Sequence, residues 1–198
     1  RVWVFYNYRN PDLPPGREQD IGLFARYSDD DGLTWSSPQS YEHLRPSGTT
    51  NFTANIASGL QMTSGRLVIP MKTQFAGTES QPTVLYSDDH GTTWALGGLM
   101  PPGTNEHQIV EISAGALLSN QRPNTGTTRR INVSHDGGQT WGDSISNMQL
   151  TPVPAGIEKY TQSLMENSEA GRILFTAPTG GGIGGNRSKL TVFTSVDD

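Results

Sequence analysis

A carboxylate and a guanidinium lie near the middle of the sequence, in segments that mix polar and apolar residues. Glu106 lies near the start of the segment N-E-H-Q-I-V-E-I (105–112), and Arg122 ends the segment G-A-L-L-S-N-Q-R (115–122). A carboxylate can accept or donate a proton. A planar guanidinium stays charged and can hold a ligand carboxylate through two parallel hydrogen bonds, which Lys does less well. These residue types therefore suit proton transfer beside an anionic ligand.

The same segment carries a second carboxylate, Glu111, five residues after Glu106. In a regular strand an odd separation places two side chains on opposite faces. Glu106 precedes the apolar pair Ile109 and Val110 at the start of the segment, whereas Glu111 lies near its end. Only one of the two can then share the face of a given site, and a family resemblance given below implies that it is Glu106 rather than Glu111. The alternative is that both are solvated carboxylates at strand ends.

Short strands are the elements that must position these side chains. The chain contains 23 Gly and 13 Pro, more than a helical bundle tolerates. Nine apolar runs, each rich in β-branched or aromatic residues, are bounded by turn residues and predict strands. They are residues 2–6, 22–28, 66–71, 83–87, 108–112, 115–120, 130–134, 172–177 and 189–195. Such a series is typical of an all-β sandwich, barrel or propeller.

Composition excludes several classes of protein. A length of 198 residues predicts a single domain. A net charge of −5, with 17% charged residues, argues against a basic protein that binds nucleic acid or a membrane surface. No apolar run approaches the roughly 18 residues of a membrane span. The chain has no Cys, and no His has a partner at metal-ligand spacing, so we expect no metal site. The compartment is left open, with a secreted or periplasmic location favoured.

One pattern, S-x-D-x-G-x-T-W, occurs three times and begins again at Ser195. Its Ser and Asp oxygens can accept hydrogen bonds from a tight turn, its Gly supplies an unusual φ, and its Trp fills the space beside the turn. The defining residues are Ser28, Asp30, Gly32 and Trp35, then Ser87, Asp89, Gly91 and Trp94, then Ser134, Asp136, Gly138 and Trp141. We expect these residues to be structural, and none of the copies continues to the closing Glu of an EF-hand calcium loop.

The repeated pattern resembles the Asp box of β-propellers, which forms the hairpin between the third and fourth strands of a blade. The segments around Glu106 and Arg122 narrow the resemblance to the sialidase superfamily, which has an E-x-x-V-V-E strand followed by an L-L-x-N-x-R strand. In that family the first Glu is catalytic, and the Arg is the second of three that grip the substrate carboxylate. The resemblance implies these roles for Glu106 and Arg122.

Further segments resemble the same family. Residues 174–178, L-F-T-A-P, are similar to its L-F-S-N-P segment, and residues 187–192, R-S-K-L-T-V, to its R-x-x-L-T-V segment, which carries the third Arg. The resemblance implies that Arg187 also binds the substrate carboxylate. Residues 65–70 resemble the family's G-R-L-V-I-P strand, where we expect Arg66 to be a surface hairpin residue rather than a ligand.

The family's general acid is an Asp on the loop before the first box. Asp12, followed by Leu13, resembles this Asp, although it lies farther from Ser28 than is usual. An insertion such as residues 14–17 would account for the excess. Asp20 is the alternative and lies closer to the box than is usual. We prefer Asp12 to Asp20, and the remaining possibility is an Asp in a Pro-rich surface turn.

The resemblance implies a six-bladed β-propeller of four-stranded antiparallel blades. Residues 1–198 would form part of one catalytic domain, incomplete at both ends. It also implies an exo-α-sialidase, a glycoside hydrolase that releases terminal sialic acids with retention. A Tyr replaces the usual carboxylate nucleophile in this chemistry, and Glu106 would activate it. We expect that Tyr beyond residue 198, so Tyr160 is not nominated, and the first Arg before residue 1.

The implied ligand is a sialylated glycan, and the implied chemistry requires no cofactor and no nucleic acid. Two alternatives stay open. One is a lectin-like, non-catalytic propeller that keeps the Arg residues and binds sialic acid. The other is a trans-sialidase, which would use the same site residues.

Overall fold

The protein was analysed as a computed structural model that describes residues 1–9, 21–113, 115–126, 128–147, 156–160, 172–180 and 188–195. These residues form fifteen strands and a single 3₁₀ turn, Glu42–Leu44. All strand pairs are antiparallel. The prediction of an all-β architecture is confirmed, and each of the nine apolar runs falls on a strand.

The strands form four sheets in chain order, which we name blades I to IV. Blade I contains β1 (Val2–Arg9), β2 (Ile21–Ser28) and β3 (Gln39–Ser40). Blade II contains β4 (Thr49–Ala54), β5 (Leu60–Gln61), β6 (Leu67–Phe75), β7 (Gln81–Ser87) and β8 (Ala95–Leu96). Blade III contains β9 (Thr104–Ser113), β10 (Ala116–Pro123), β11 (Arg129–Ser134) and β12 (Ile145–Asn147). Blade IV contains β13 (Gly156–Tyr160), β14 (Arg172–Gly180) and β15 (Ser188–Thr194).

Within blade III each strand pairs with the next one along the chain, in the order β9, β10, β11, β12. Blade II has the order β4, β6, β7, β8, and β5 also pairs with β6 beside the end of β4. A meander of this kind needs only short hairpins between strands, which accounts for the many turn residues.

The hydrophobic core lies between neighbouring blades. Because side chains alternate along a strand, each blade contributes one face to each neighbour. On β9, Ile109 packs with residues of blade II, whereas Val110 packs against Phe175 and its neighbours in blade IV. On β7, Leu85 joins the cluster shared with blade I and Val84 joins the cluster shared with blade III. The sheets therefore stack as the blades of a propeller do.

The three boxes close the hairpins after β2, β7 and β11 with the same hydrogen bonds. In the first box, Ser28 Oγ accepts from the Gly32 N–H at 2.8 Å and donates to Asp30 Oδ1 at 2.7 Å. The Thr34 N–H donates to Asp30 Oδ1 at 2.8 Å. These bonds recur in the second and third boxes at 2.7–2.8 Å. The box glycines have positive φ: Gly32 +90°, Gly91 +90° and Gly138 +94°.

A guanidinium joins the box of blade II to the box of blade III. Arg66 Nε and Nη2 donate to the two carboxylate oxygens of Asp88 at 2.7 and 2.8 Å. Its Nη1 donates to the carbonyl oxygens of Asp136 and Gly137 at 3.2 and 3.0 Å. We name this set of bonds the rim contact, and it ties two neighbouring blades together at the level of their boxes.

Candidate functional site

The long strands run between two ends of the blades. The boxes begin at Ser28, Ser87 and Ser134, and we name this end the box end. At the opposite end, the site end, Thr104 at the start of β9 pairs with Pro123 at the end of β10. Glu106 and Arg122 lie within two residues of this pair, so the strands bring both to the site end.

The pairing of β9 with β10 is irregular at this point. One residue of β10, Arg122, lies opposite two residues of β9, Asn105 and Glu106. A bulge of this kind bends a strand locally and re-aims its side chains. The bulge therefore lies at the point where Glu106 and Arg122 meet across the two strands.

Glu106 and Arg122 form an ion pair. Arg122 Nη1 donates to Glu106 Oε2 at 2.8 Å, and the two side chains are 25% and 24% exposed for Glu106 and Arg122 respectively. A guanidinium has five N–H groups, and within the described residues this is the one hydrogen bond that the Arg122 side chain makes. The remaining donors can therefore serve a ligand that enters from solvent.

Two more cations act on Glu106. Arg129, at the start of β11, is only 2% exposed, and its Nη2 donates to the Asn120 carbonyl oxygen at 3.2 Å. Burial lowers the pKa of Arg129 to about 10, the charge of Glu106 opposes this shift, and Arg122 reinforces it. Lys72, on β6 of blade II, also has a pKa lowered by burial and raised by the charge of Glu106. Within the described residues, three cations thus interact electrostatically with Glu106, and Arg122 alone forms an ion pair with it.

Glu111 has a different environment. Its carboxylate accepts hydrogen bonds from the Thr63 N–H and hydroxyl, both at 2.8 Å, and from the Gly115 N–H at 3.2 Å. These bonds hold the turn before β6 and the turn between β9 and β10. Glu111 therefore serves two hairpins at the box end, which leaves Glu106 as the carboxylate of the site end on this strand.

Behind the site, His107 is buried and 3% exposed. Its Nε2 lies 2.8 Å from the Met71 carbonyl oxygen, which can only accept, so Nε2 carries the proton. Its Nδ1 lies 3.0 Å from Ser119 Oγ and accepts from that hydroxyl. Burial lowers the pKa of His107 to about 4. The ring is therefore neutral near pH 7, and its hydrogen bond to Met71 connects blade III to blade II one residue after Glu106.

Three of the predicted site residues lie outside the described residues. They are Asp12, Asp20 and Arg187. Their flanking strands are described: Arg9 pairs with Ile21, and Gly180 pairs with Ser188, on the sides of the hairpins away from the boxes. The roles of these residues remain predictions.

Among the described residues no cluster of three or more His, Asp or Glu side chains could hold a metal ion. The part of the chain that the structure describes also contains no helix long and apolar enough to cross a membrane.

Sequence reasoning missed Lys72 and Arg129. Each lies one residue outside an apolar run, after residues 66–71 and before residues 130–134 respectively. The sequence did carry a signal for both residues, because each directly extends a predicted strand. The alternation of side chains along that strand assigns the charged residue to the same face as every second residue. What the pattern could not provide is the packing of blade II against blade III, which brings Lys72 to Glu106.

Comparisons with known proteins identify the family of this chain. The model of the BNR repeat-like domain family matches residues 1–198. A sialidase of Clostridium perfringens is 32% identical over 135 residues, which cover 63% of this chain and 35% of that protein. A sialidase of Micromonospora viridifaciens is 30% identical over 192 residues, covering 94% of this chain and 27% of that protein. The chain thus spans about a third or less of the length of these relatives.

A solved structure shares the fold. The Hadza microbial sialidase Hz136 superposes with a TM-score of 0.82 at 24% identity, covering 98% of this chain and 40% of that chain. The family model spans all of the residues that form the stacked blades. The chain therefore belongs to the BNR repeat-like domain family, within the sialidase superfamily.

Proposed function

We propose that the protein containing this chain is an exo-α-sialidase, a glycoside hydrolase that removes terminal sialic acids from glycoconjugates. The observation that carries the proposal is the partly exposed Glu106–Arg122 pair at the site end, with the positive charge of Lys72 and Arg129 beside it. A single carboxylate among three cations favours binding of a further anion. The carboxylate of a sialic acid, which is bonded to the reacting anomeric carbon, is such an anion.

In this proposal Arg122 and Arg187 hold the substrate carboxylate. Guanidinium groups suit this role because they stay charged and offer two parallel donors to a planar acceptor. Arg122 already has one donor on Glu106 and keeps others for the ligand. Two such groups would fix the orientation of the sugar as well as offset its charge.

Bond cleavage would proceed in two steps with retention. The nucleophile would be a Tyr outside these 198 residues. Glu106 would take the proton of the Tyr hydroxyl as the Tyr oxygen attacks the anomeric carbon. Asp12, with Asp20 as the alternative, would give a proton to the departing glycan oxygen. Water would then attack the anomeric carbon and give a proton to the Asp carboxylate, while the departing Tyr oxygen takes back its proton from Glu106. We also propose that residues 1–198 are part of a single six-bladed propeller domain.

The test is release of 4-methylumbelliferone from its α-sialoside by the full-length gene product, beside Asp12→Ala and Glu106→Ala variants. We expect activity in the wild type and a loss of about 10²–10⁴-fold in each variant. Loss with Glu106→Ala alone would move the acid to Asp20. A folded wild type that binds the sialoside without turnover would make the protein a lectin-like propeller and contradict the proposal.

A lactose acceptor in the same assay separates hydrolysis from transfer. Free sialic acid as the main product supports a hydrolase, whereas sialyllactose as the main product indicates a trans-sialidase built on the same residues. Neither Glu106 nor Arg122 distinguishes the two reactions, because both reactions share the same first step.

A further inference from the structure

Lys72 is a half-buried cation that has no carboxylate partner within the described residues. Its Nζ donates to the neutral side-chain oxygen Asn105 Oδ1 at 3.1 Å, and no Asp or Glu oxygen of the described part lies within ion-pair distance. Burial lowers the pKa of Lys72, and the charge of Glu106 opposes this shift without forming an ion pair. Removing a cation from water without pairing it costs free energy, so this position is a poor choice for stability alone.

The surroundings of Lys72 direct it towards the site. Asn105, which accepts its hydrogen bond, adjoins Glu106 on β9 at the bulge opposite Arg122. The main chain of Asn105 is held in turn, because its carbonyl oxygen accepts from Asn55 Nδ2 at 3.1 Å. An ammonium has three donors, and one of those on Lys72 is used by Asn105.

We propose that Lys72 is a specificity residue that donates a hydrogen bond to an oxygen of the bound sugar acid from the blade II side. Arg122 would hold the carboxylate from blade III, so the two cations would grip the sugar at two separate points. This inference rests on the proposed function, since it needs a sugar acid in the site.

The chemistry of an ammonium defines which ligand group it would select. Because Arg122 would hold the carboxylate, the half-buried N–H donor of Lys72 would face a hydroxyl or carbonyl oxygen of the sugar, and a ligand that offers an apolar group there leaves the donor without an acceptor. Lys72 would therefore discriminate among sialic acids by the substituent that faces blade II. A ligand that lacks that oxygen would bind less well and would no longer depend on Lys72.

The test uses the full-length gene product and a set of α-sialosides that each lack one hydroxyl group or the acylamino group. We expect Lys72→Met to raise KM for the complete substrate by about tenfold with little change in kcat, the signature of an interaction lost equally from the ground state and the transition state. For the one analogue that lacks the acceptor oxygen, the same substitution should change KM by less than about twofold. Lys72→Arg, which keeps the charge and the donors, should retain most of the affinity.

Two controls separate this role from a structural one. The first control is Asn105→Ala, which removes the hydrogen-bond partner of Lys72. If the role of Lys72 were purely structural, Lys72→Met and Asn105→Ala would both lower the melting temperature and would affect all analogues equally. Lys189→Met makes the same chemical change at an exposed lysine of blade IV and should leave the analogue profile unchanged. If Lys72→Met does not fold, Lys72→Gln and Lys72→Arg give the same comparison.

An unchanged KM in Lys72→Met, or an equal loss across all analogues, would overturn the inference and leave the proposed function intact. A wild-type protein that neither cleaves nor binds any sialoside would instead contradict the proposed function. The two failures are therefore distinct measurements, one on the variant and one on the wild type.

Discussion

Arg122 Nη1 donates to Glu106 Oε2 at 2.8 Å across a bulge between the first two strands of blade III. The pair is partly exposed, so a ligand carboxylate would join an existing ion pair. Two anions would then share one guanidinium, and their repulsion would be offset by Lys72 and Arg129. The arrangement is set by backbone pairing before any ligand arrives.

The geometry of the guanidinium, in addition to its charge, should matter at Arg122. Arg122→Lys keeps the charge but cannot offer two parallel donors while also holding Glu106. We expect kcat/KM for the α-sialoside to fall by about 10²-fold, and further in Arg122→Met. Steady-state kinetics of the full-length gene product measure this. A Lys variant within about threefold of wild type would show that charge alone suffices.

The two carboxylates of β9 should separate function from stability. Glu111→Gln weakens three hydrogen bonds that hold two turns, and we expect the free energy of unfolding to fall by about 1 kcal/mol with kcat unchanged. Glu106→Gln should instead lower kcat by about 10²-fold or more and have little effect on the free energy of unfolding. Urea unfolding and kinetics on both variants make the comparison. A larger loss of kcat in Glu111→Gln would reverse the assignment.

The long strands and the boxes could be predicted from sequence because their signals are local. The strand β4 was not predicted, since its sequence T-T-N-F-T-A is mostly polar and an apolar run cannot reveal it. The strands β3, β5, β8 and β12 have only two or three residues each, too few for any period. Glu106 and Arg122 were identified from segment resemblance, whereas Lys72 requires the contact between two blades.

The buried His107 should make the protein sensitive to acid. Its pKa is lowered from 6.5 to about 4 by burial, so below pH 6.5 the unfolded chain binds a proton that the folded protein does not. The contribution to stability is therefore fully present above pH 6.5 and is lost as the pH falls towards about 4. We expect the urea midpoint of His107→Gln to depend less on pH in this range than that of the wild type. A ring that titrates near 6.5 by NMR would contradict this.

The box carboxylates should act in a more acidic window. Hydrogen bonds from Thr93, first in size that of its N–H and second that of its hydroxyl, lower the pKa of Asp89 from 3.8 to about 2. Stability from this group is present above pH 3.8 and is lost as the pH falls through about 2. We expect Asp89→Asn to lower the melting temperature at pH 7 and the difference from wild type to shrink towards pH 2. The exposed Asp143→Asn is the control, and a constant difference across this range would contradict the prediction.

The separation of the box end from the site end has a consequence for how such a scaffold can change. The boxes and the rim contact of Arg66 stabilise one end, while Glu106 and Arg122 lie at the other. Substitutions at distant, independent positions contribute additively to stability. New hairpins at the site end can therefore alter the surroundings of Glu106 and Arg122 without disturbing the framework, so one scaffold can present many different sites.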